Sequence, residues 1–168
     1  TSVATLSGTA AAINTLVGNE GNSGDKVNLD SDYVATLTDT TITATVLNAV
    51  DGNVPGAVDA SSVATITGAL ADINTAYASS GFSGLGDEAV TITDTTVAAA
   101  DLLTLNSATS GIITATGVET VSGSISDLTS INLIETDQGN AGQQIDLDTD
   151  FTVTITDTGT VAALTLTS

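Results

Sequence analysis

One six-residue pattern returns along the whole chain, and it constrains the fold more than any other feature of the sequence. Its copies alternate strictly between two kinds, which differ in their last residue. The copies that end in glycine occupy residues 3–8, 63–68 and 118–123. The copies that end in aspartate occupy residues 34–39, 89–94 and 152–157. The pattern thus begins anew at positions 3, 34, 63, 89, 118 and 152, and intervals of this length are typical of solenoids and other repeat arrays.

Each copy of the pattern predicts a short β-strand followed by an α-helix. The copies are rich in Val, Ile and Thr and end in Gly or Asp, as short strands do. The stretches that follow are richer in Ala and Leu, and Asp94 or the threonines after it provide the N-cap of one helix. The sequence after Asp39 repeats the same opening. The clearest predicted helices lie at residues 9–16, 69–77, 97–105 and 124–131.

A strand followed by a helix, repeated in one direction, predicts parallel strands with the helices on one side. The predicted fold class is an α/β repeat, namely a strand-helix solenoid with a parallel sheet and short helices along one face. A second short strand in each unit, such as residues 112–115, would instead make a β-helix, and β-sandwich-like all-β repeats are the remaining alternative. One apolar position of each aligned copy would face the helices. These residues are Leu6, Leu37, Ile66, Ile92, Val121 and Ile155.

We expect the 168 residues to form a single array of six strand-helix units. The approximate units are residues 1–26, 27–56, 57–82, 83–110, 111–138 and 139–168. Neither end carries the polar capping repeat that an isolated solenoid requires. We therefore expect either a longer chain that continues the array in both directions or identical subunits that stack end to end.

The charge of the chain restricts its partners. Twenty Asp and Glu residues stand against the single cation Lys26, and the formal net charge is −19. Nucleic acid is excluded, because its phosphates need Lys or Arg to release counterions, and anionic membrane surfaces are excluded for the same reason. The sequence also has no run of about 18 apolar residues that could insert into a membrane. A salty, calcium-containing extracellular medium would screen the self-repulsion, and the absence of Cys is compatible with that location.

The residues on which most enzymes depend are missing. The chain has no His and no Cys, and Lys26 is its only basic residue. A Ser-His-Asp triad, a conventional zinc site and an arginine clamp are therefore excluded. Pairs of Asp can cleave polysaccharides, but aromatic residues for sugar binding are few. We expect a protein that is not an enzyme, and we keep an Asp-dependent polysaccharide enzyme only as a distant alternative.

Alternating aspartates predict a calcium site. Two Asp-rich segments resemble each other, and each follows a loop rich in Gly, Asn and Asp. Alternation places the acids on one face of a strand, and their hard oxygen atoms suit Ca²⁺. The candidate ligands are Asp30, Asp32, Asp137, Asp146, Asp148 and Asp150. The alternative is a solvated acidic edge that discourages sideways pairing of strands.

Threonines flank the apolar position of most copies and would point away from the helices. They predict a ladder at the strand spacing of about 4.7–4.9 Å. Its members are Thr36, Thr38, Thr65, Thr67, Thr91, Thr93, Thr154 and Thr156. Such an array resembles the faces of ice-binding solenoids, so an ice-binding or carbohydrate-binding module is the alternative function. The simpler explanation is the high strand propensity of threonine.

Two segments carry a resemblance to known repeats. They are Thr-Ile-Thr-Gly-Ala-Leu-Ala-Asp-Ile-Asn-Thr at residues 65–75 and Val-Thr-Ile-Thr-Asp-Thr-Thr-Val-Ala-Ala-Ala-Asp-Leu at residues 90–102. Their alternation resembles the repeats of giant bacterial cell-surface proteins, such as those of swimming marine cyanobacteria and repeat-bearing adhesins. The resemblance implies an exported, array-forming protein without catalytic residues. We therefore predict a structural module of an extracellular surface layer (S-layer), filament or giant adhesin, which binds neighbouring repeats or identical subunits end to end.

Overall fold

The computed structural model describes residues 2–20, 27–136 and 145–158, in which the chain forms helices and short strands. The helices are α1 (Ala10–Asn19), α2 (Ala44–Asn53), α3 (Leu70–Ala78), α4 (Ala99–Ala108) and α5 (Ile125–Thr136). The strands are β1 (Val3–Gly8), β2 (Leu29–Leu37), β3 (Thr41–Thr43), β4 (Val58–Asp59), β5 (Thr65–Gly68), β6 (Phe82–Ser83), β7 (Ala89–Ile92), β8 (Thr96–Ala98), β9 (Ile113–Ala115), β10 (Thr120–Gly123), β11 (Ile145–Leu147) and β12 (Thr152–Ile155).

The strands form three sheets, and every described pair is parallel. The strand orders are β1-β2-β4-β6, β11-β9-β7-β5-β3 and β12-β10-β8. The fold is therefore α/β with parallel sheets, as the order of strand and helix predicts, and the all-β alternative is wrong. The second short strand considered at residues 112–115 is present as β9. The helix predicted at residues 97–105 begins at Ala99, because residues 97 and 98 belong to β8.

Alternation along the strands sorts side chains into a buried and an outward face. In the five-stranded sheet, each strand contributes one fully or nearly fully buried residue to a column of paired neighbours. The column consists of Ile42, Ile66, Val90, Ile113 and Ile145. Its first four members, at positions 42, 66, 90 and 113, follow one another at nearly equal intervals along the chain. Branched side chains fit a pleated surface, and burying each one contributes about 1.5–3 kcal/mol.

Glycine-ended and aspartate-ended copies of the pattern pair with an offset of two residues. Ile66 lies opposite Val90 rather than Ile92, and Gly68 lies opposite Ile92. The same offset relates β1 to β2 and β10 to β12. The six apolar residues that the sequence predicts to face the helices are therefore not one another's partners, although an offset of two residues leaves each strand face unchanged. Five of them are buried, as predicted, whereas Ile155 is 42% exposed. The six residues are Leu6, Leu37, Ile66, Ile92, Val121 and Ile155.

The pattern also passes from one sheet to the next along the chain. Two pairing steps from Ile66 lead through Val90 to Ile113. The next glycine-ended copy, however, has its equivalent apolar residue only at Val121. The pairing steps are therefore shorter than the spacing of the copies. As a result, the three strands that hold the glycine-ended copies belong to three different sheets; they are β1, β5 and β10. The prediction of a single parallel sheet is wrong for this reason.

The two-residue offset brings an aspartate to the start of a helix in the preceding part of the chain. The Asp94 carboxylate accepts a hydrogen bond from the backbone N–H of Leu70, the first residue of α3, at 2.6 Å. Asp39 and Asp157 bind the first N–H of α1 and α5 in the same way, at 2.7 and 2.6 Å. A carboxylate at this position satisfies a free N–H and complements the helix dipole. Asp94 therefore caps α3, which precedes it. The sequence instead predicts Asp94 as a possible cap of the helix that follows it, α4.

The helices form the other side of the hydrophobic core. Each helix packs against the next one along the chain, and asparagine side chains link neighbouring backbones. Asn48 donates to the carbonyl oxygen of Asp72 at 2.9 Å, and Asn74 donates to the carbonyl oxygen of Asp101 at 3.0 Å. The inward residues of the three central helices are fully or nearly fully buried. Among them are Leu47, Val50, Ile73, Leu102 and Leu105.

Replacing Asp94 by alanine tests the cap that joins successive copies. We expect Asp94→Ala to lower the free energy of unfolding by about 0.5–2 kcal/mol, because the Leu70 N–H loses its acceptor and the dipole of α3 loses a complementary charge. Urea-induced unfolding followed by circular dichroism measures the change.

The matched control is Asp32→Ala, since Asp32 is exposed on β2 and its loss removes the same charge. In so acidic a chain this change should leave the free energy of unfolding unchanged or raise it slightly. Equal destabilisation by the two variants would contradict a specific role of the Asp94 cap.

Candidate functional site

The outward face of the five-stranded sheet carries a row of threonines that are paired neighbours on successive strands. The row consists of Thr43, Thr67, Thr91 and Thr114, and Asp146 continues it on β11. A shorter parallel row of Thr41 and Thr65 precedes it by two residues on β3 and β5. Neighbouring strands lie about 4.7–4.9 Å apart. Thr41 and Thr43 are exposed and the other threonines are half-buried. The Thr43 hydroxyl also accepts a hydrogen bond from the backbone N–H of Val46 at 3.4 Å, as the N-cap of α2. The row is thus regular in spacing and partly exposed.

The predicted threonine ladder is only partly continuous. Three of its eight members stand in the five-stranded sheet, namely Thr65, Thr67 and Thr91. Thr36 on β2 and Thr154 on β12 lie in the two other sheets. Thr38, Thr93 and Thr156 follow the ends of their strands. The passage of the pattern between sheets divides the predicted ladder, while Thr43 and Thr114, which the prediction omitted, extend the observed row.

The predicted calcium ligands lie in two separate places. Asp30 and Asp32 lie on β2, whereas Asp146 lies on β11, in a different sheet. Asp30 accepts a hydrogen bond from the Ser2 hydroxyl at 3.2 Å. Asp148 accepts one from the backbone N–H of Thr149 at 2.7 Å. These contacts are those of acids at the surface of short turns and strands.

Neither Asp-rich segment forms a recognisable metal site in the described ranges. Asp32, Asp148 and Asp150 are exposed, and Asp137 lies outside the described residues. Across residues 2–20, 27–136 and 145–158, no three acidic side chains converge as metal ligands would. Calcium binding by Asp30, Asp32, Asp137, Asp146, Asp148 and Asp150 stays a prediction.

The aromatic side chains are not arranged as sugar-binding platforms. Tyr33 is buried, and its hydroxyl donates to the carbonyl oxygen of Asn53 at 2.6 Å. Tyr77, Phe82 and Phe151, the remaining aromatic residues, are partly buried and pack against the core. All four side chains contribute to the core, and none of them is exposed as the aromatic platforms of sugar-binding sites are.

A buried carboxylate lies between the end of α3 and the start of β7. Glu88 is 1% exposed. Its Oε2 accepts hydrogen bonds from the Tyr77 hydroxyl and from the backbone N–H of Gly86, each at 2.8 Å. Its backbone carbonyl oxygen accepts a third from the Thr109 hydroxyl at 2.9 Å. The other carboxylate oxygen, Oε1, is buried without a hydrogen-bond donor in the described part of the chain.

This arrangement changes the chemistry of Tyr77 and was missed at the level of sequence. Burial raises the pKa of the Tyr77 hydroxyl well above its usual value of 10.0, and the neighbouring Glu88 carboxylate raises it further. The sequence does carry a signal. Two of the aspartate-ended copies follow an aromatic residue, Tyr33 or Phe151, whereas the copy at residues 89–94 follows the acid Glu88. The cluster ties α3, the loop before β7 and the end of α4 together.

The core is incompletely covered beside β1, which is the edge strand of its sheet among the described residues. A pocket of about 270 Å³ opens between β1 and α1. It is lined by Leu6, Ser7, Ala12, Ile13 and Leu16. Val3, at the start of the same strand, is 39% exposed. An apolar pocket beside an open strand edge is a surface on which another strand can add.

No protein-family model matches the chain, and no curated protein or solved structure is significantly similar to it. Within the described ranges, none of the helices has the length and apolar character needed to cross a membrane. The surfaces that remain as candidates for function are the threonine rows, the acidic segments and the open face beside β1.

Replacing Tyr77 by phenylalanine tests the buried cluster. At about pH 7 we expect Tyr77→Phe to lower the free energy of unfolding by about 1–3 kcal/mol, because Glu88 loses a hydrogen-bond donor in a buried site. Because the pKa of Tyr77 is raised in the folded state, its hydroxyl contributes fully to the free energy of unfolding below the unfolded pKa of 10.0. This contribution is lost as the pH rises above that value.

The difference between wild type and Tyr77→Phe should therefore shrink when urea unfolding is repeated at about pH 11. Tyr33, whose pKa burial also raises, is present in both proteins and cancels in the comparison. A difference that stays constant between the two pH values would contradict this account of Tyr77.

Proposed function

We propose that the chain is an α/β solenoid that serves as a structural repeat module of an extracellular surface layer, filament or giant adhesin. The observation that carries the proposal is the nearly constant length of chain between paired strands. In the five-stranded sheet, three successive steps of almost equal length join positions 42, 66, 90 and 113. A chain that advances by one strand per turn buries its apolar face only against the turns before and after it.

The distribution of charge supports a location outside the cell. A net charge of −19 on 168 residues gives strong self-repulsion, which salt and divalent cations reduce. Calcium bound at the Asp-rich segments would neutralise part of this charge, and carboxylate oxygens are the ligands that Ca²⁺ prefers. The resemblance to repeats of bacterial cell-surface proteins favours the same location.

The open face beside β1 supports end-to-end association. Leu6 and Ile13 are buried but border an apolar pocket, and within the described ranges β1 has a neighbouring strand on one side only. Covering this face would bury apolar surface and pair free backbone groups at once. The partner that we propose is therefore a neighbouring repeat or an identical subunit, not nucleic acid and not a membrane.

Sedimentation velocity and negative-stain electron microscopy test the proposed assembly. In about 150 mM salt, with and without about 5 mM calcium, we expect rows of subunits that lengthen with protein concentration and with calcium, because the ion reduces repulsion between acidic subunits. A chain that stays monomeric under all of these conditions would contradict self-association.

The threonine rows favour a second candidate function, a face that binds ice. Thr43, Thr67, Thr91 and Thr114 form a regular outward row, and regular hydroxyl and methyl groups are suited to ordering water. Carbohydrate binding is less well supported, because the four aromatic side chains pack against the core.

Thermal hysteresis measurements on Thr67→Lys test this second candidate. If the row binds ice, a bulky charge in its centre should remove most of the hysteresis, because the charge disrupts the ordered water. Thr104→Lys, at an exposed position of α4, is the control and should retain it. Absence of hysteresis in the wild-type chain would rule out ice binding and leave the structural role intact.

A further inference from the structure

Two of the glycines that end the pattern receive the first residue of a neighbouring helix. A Cβ atom built on Gly68 would lie 3.3 Å from the Cβ of Ala44, which begins α2. A Cβ atom built on Gly123 would lie 2.8 Å from the Cβ of Ala99, which begins α4. The second distance is too short for any side chain at position 123. Glycine at these two positions thus allows the preceding helix to approach the sheet.

Gly8 ends the first copy of the pattern but has no such neighbour. A Cβ atom at this position would meet only Ala12, at 4.0 Å, in the described part of the chain. Ala12 and Ser7, which precedes Gly8, both line the pocket beside β1. Gly8 therefore has the same place in the pattern as Gly68 and Gly123, but no helix start from the described residues lies against it.

The elements that cover the two filled positions share a short sequence. Each is a three-residue strand followed by the alanine and then, three residues later, by a buried leucine. The two examples are Thr41-Ile42-Thr43-Ala44 with Leu47 and Thr96-Val97-Ala98-Ala99 with Leu102. A third example stands at residues 160–163, Thr-Val-Ala-Ala, with leucine at position 166. It repeats residues 96–99 without a change and lies outside the described residues.

We propose that residues 160–166 of a second copy of this chain dock on β1 and fill the pocket beside it. This inference rests on the proposed end-to-end assembly and names the two surfaces that make it. By analogy with the pairs Thr41 to Thr65 and Thr96 to Thr120, residue 160 pairs with Thr5. The alanine at position 163 then lies against Gly8.

The partner is a second copy because, within one chain, the described residues that precede the docking segment lie away from β1. The helices pack in chain order from α1 beside β1 to α5 beside β10, and Asp157 is held at the start of α5. The last described residues therefore lie at the opposite end of this helix order from β1. Such a head-to-tail contact uses two different surfaces of the chain, so each added subunit leaves one surface of each kind for the next.

The variant Gly8→Leu tests the receiving surface in the 168-residue chain. A Cβ atom at position 8 has room in the isolated subunit, and the leucine side chain would occupy the space that the incoming alanine needs. We expect the dissociation constant from sedimentation velocity to rise about tenfold or more. Gly117→Leu is the control, since Gly117 also has open space around it, and it should assemble as the wild type does.

The variant Val161→Asp tests the docking segment, because its equivalents Ile42 and Val97 are each only 5% exposed. A buried carboxylate without a partner should also weaken assembly about tenfold or more. Thr165→Asp is the matched control. It adds the same charge at the position equivalent to Asp101, which is an exposed aspartate of α4, and it should leave assembly unchanged.

Mixing the two defective variants decides between this contact and others. Gly8→Leu keeps an intact docking segment and Val161→Asp keeps an intact β1 face, so an equimolar mixture should form a one-to-one dimer that neither variant forms alone. A wild-type chain that assembles while both variants assemble equally well overturns this docking mode and leaves the proposed assembly standing. A wild-type chain that stays monomeric overturns both.

Discussion

The two-residue offset between glycine-ended and aspartate-ended copies is the constraint on which the rest of the structure depends. It places the Asp94 carboxylate on the first N–H of α3 and Gly68 opposite Ile92. Strand pairing and helix position are thereby fixed together, because the same few residues serve both. An alignment of copies without the offset would move each aspartate away from the helix it caps.

The individual helices and strands are weakly stable by themselves and depend on contacts with the adjacent elements. Short helices rich in Ala, Thr and Asn are marginal by themselves, and a strand of three or four residues has little stability alone. Columns such as Ile66 beside Val90 supply burial, while caps such as Asp39 and side-chain links such as Asn48 join adjacent turns. In the proposed solenoid, a turn with one open face is incomplete, and the proposal that a neighbouring repeat or an identical subunit covers the β1 face rests on this point.

Much of the fold is readable from the sequence because it depends on periodicity. The helices after Gly8, Gly68 and Gly123 and the inward facing of Ile66 and Ile92 follow from spacing and strand parity. Register could not be read in the same way, since shifting a strand by two residues leaves its faces unchanged. The contact that sets it joins Asp94 to Leu70, in the preceding part of the chain. The Glu88 cluster was also hidden, because it depends on Tyr77 lying beside a loop that follows it.

The absence of cysteine permits a direct measurement of the register. Thr67→Cys with Thr91→Cys places two thiols on paired residues, within the Cα separation of about 4.4–6.8 Å that a disulfide needs. Thr67→Cys with Thr93→Cys represents the alignment without the offset. Under mild oxidation we expect the 67–91 pair to form an intramolecular disulfide, detected as a loss of two protons by mass spectrometry, and the 67–93 pair to remain reduced. Rapid closure of the 67–93 pair with an open 67–91 pair would contradict the account.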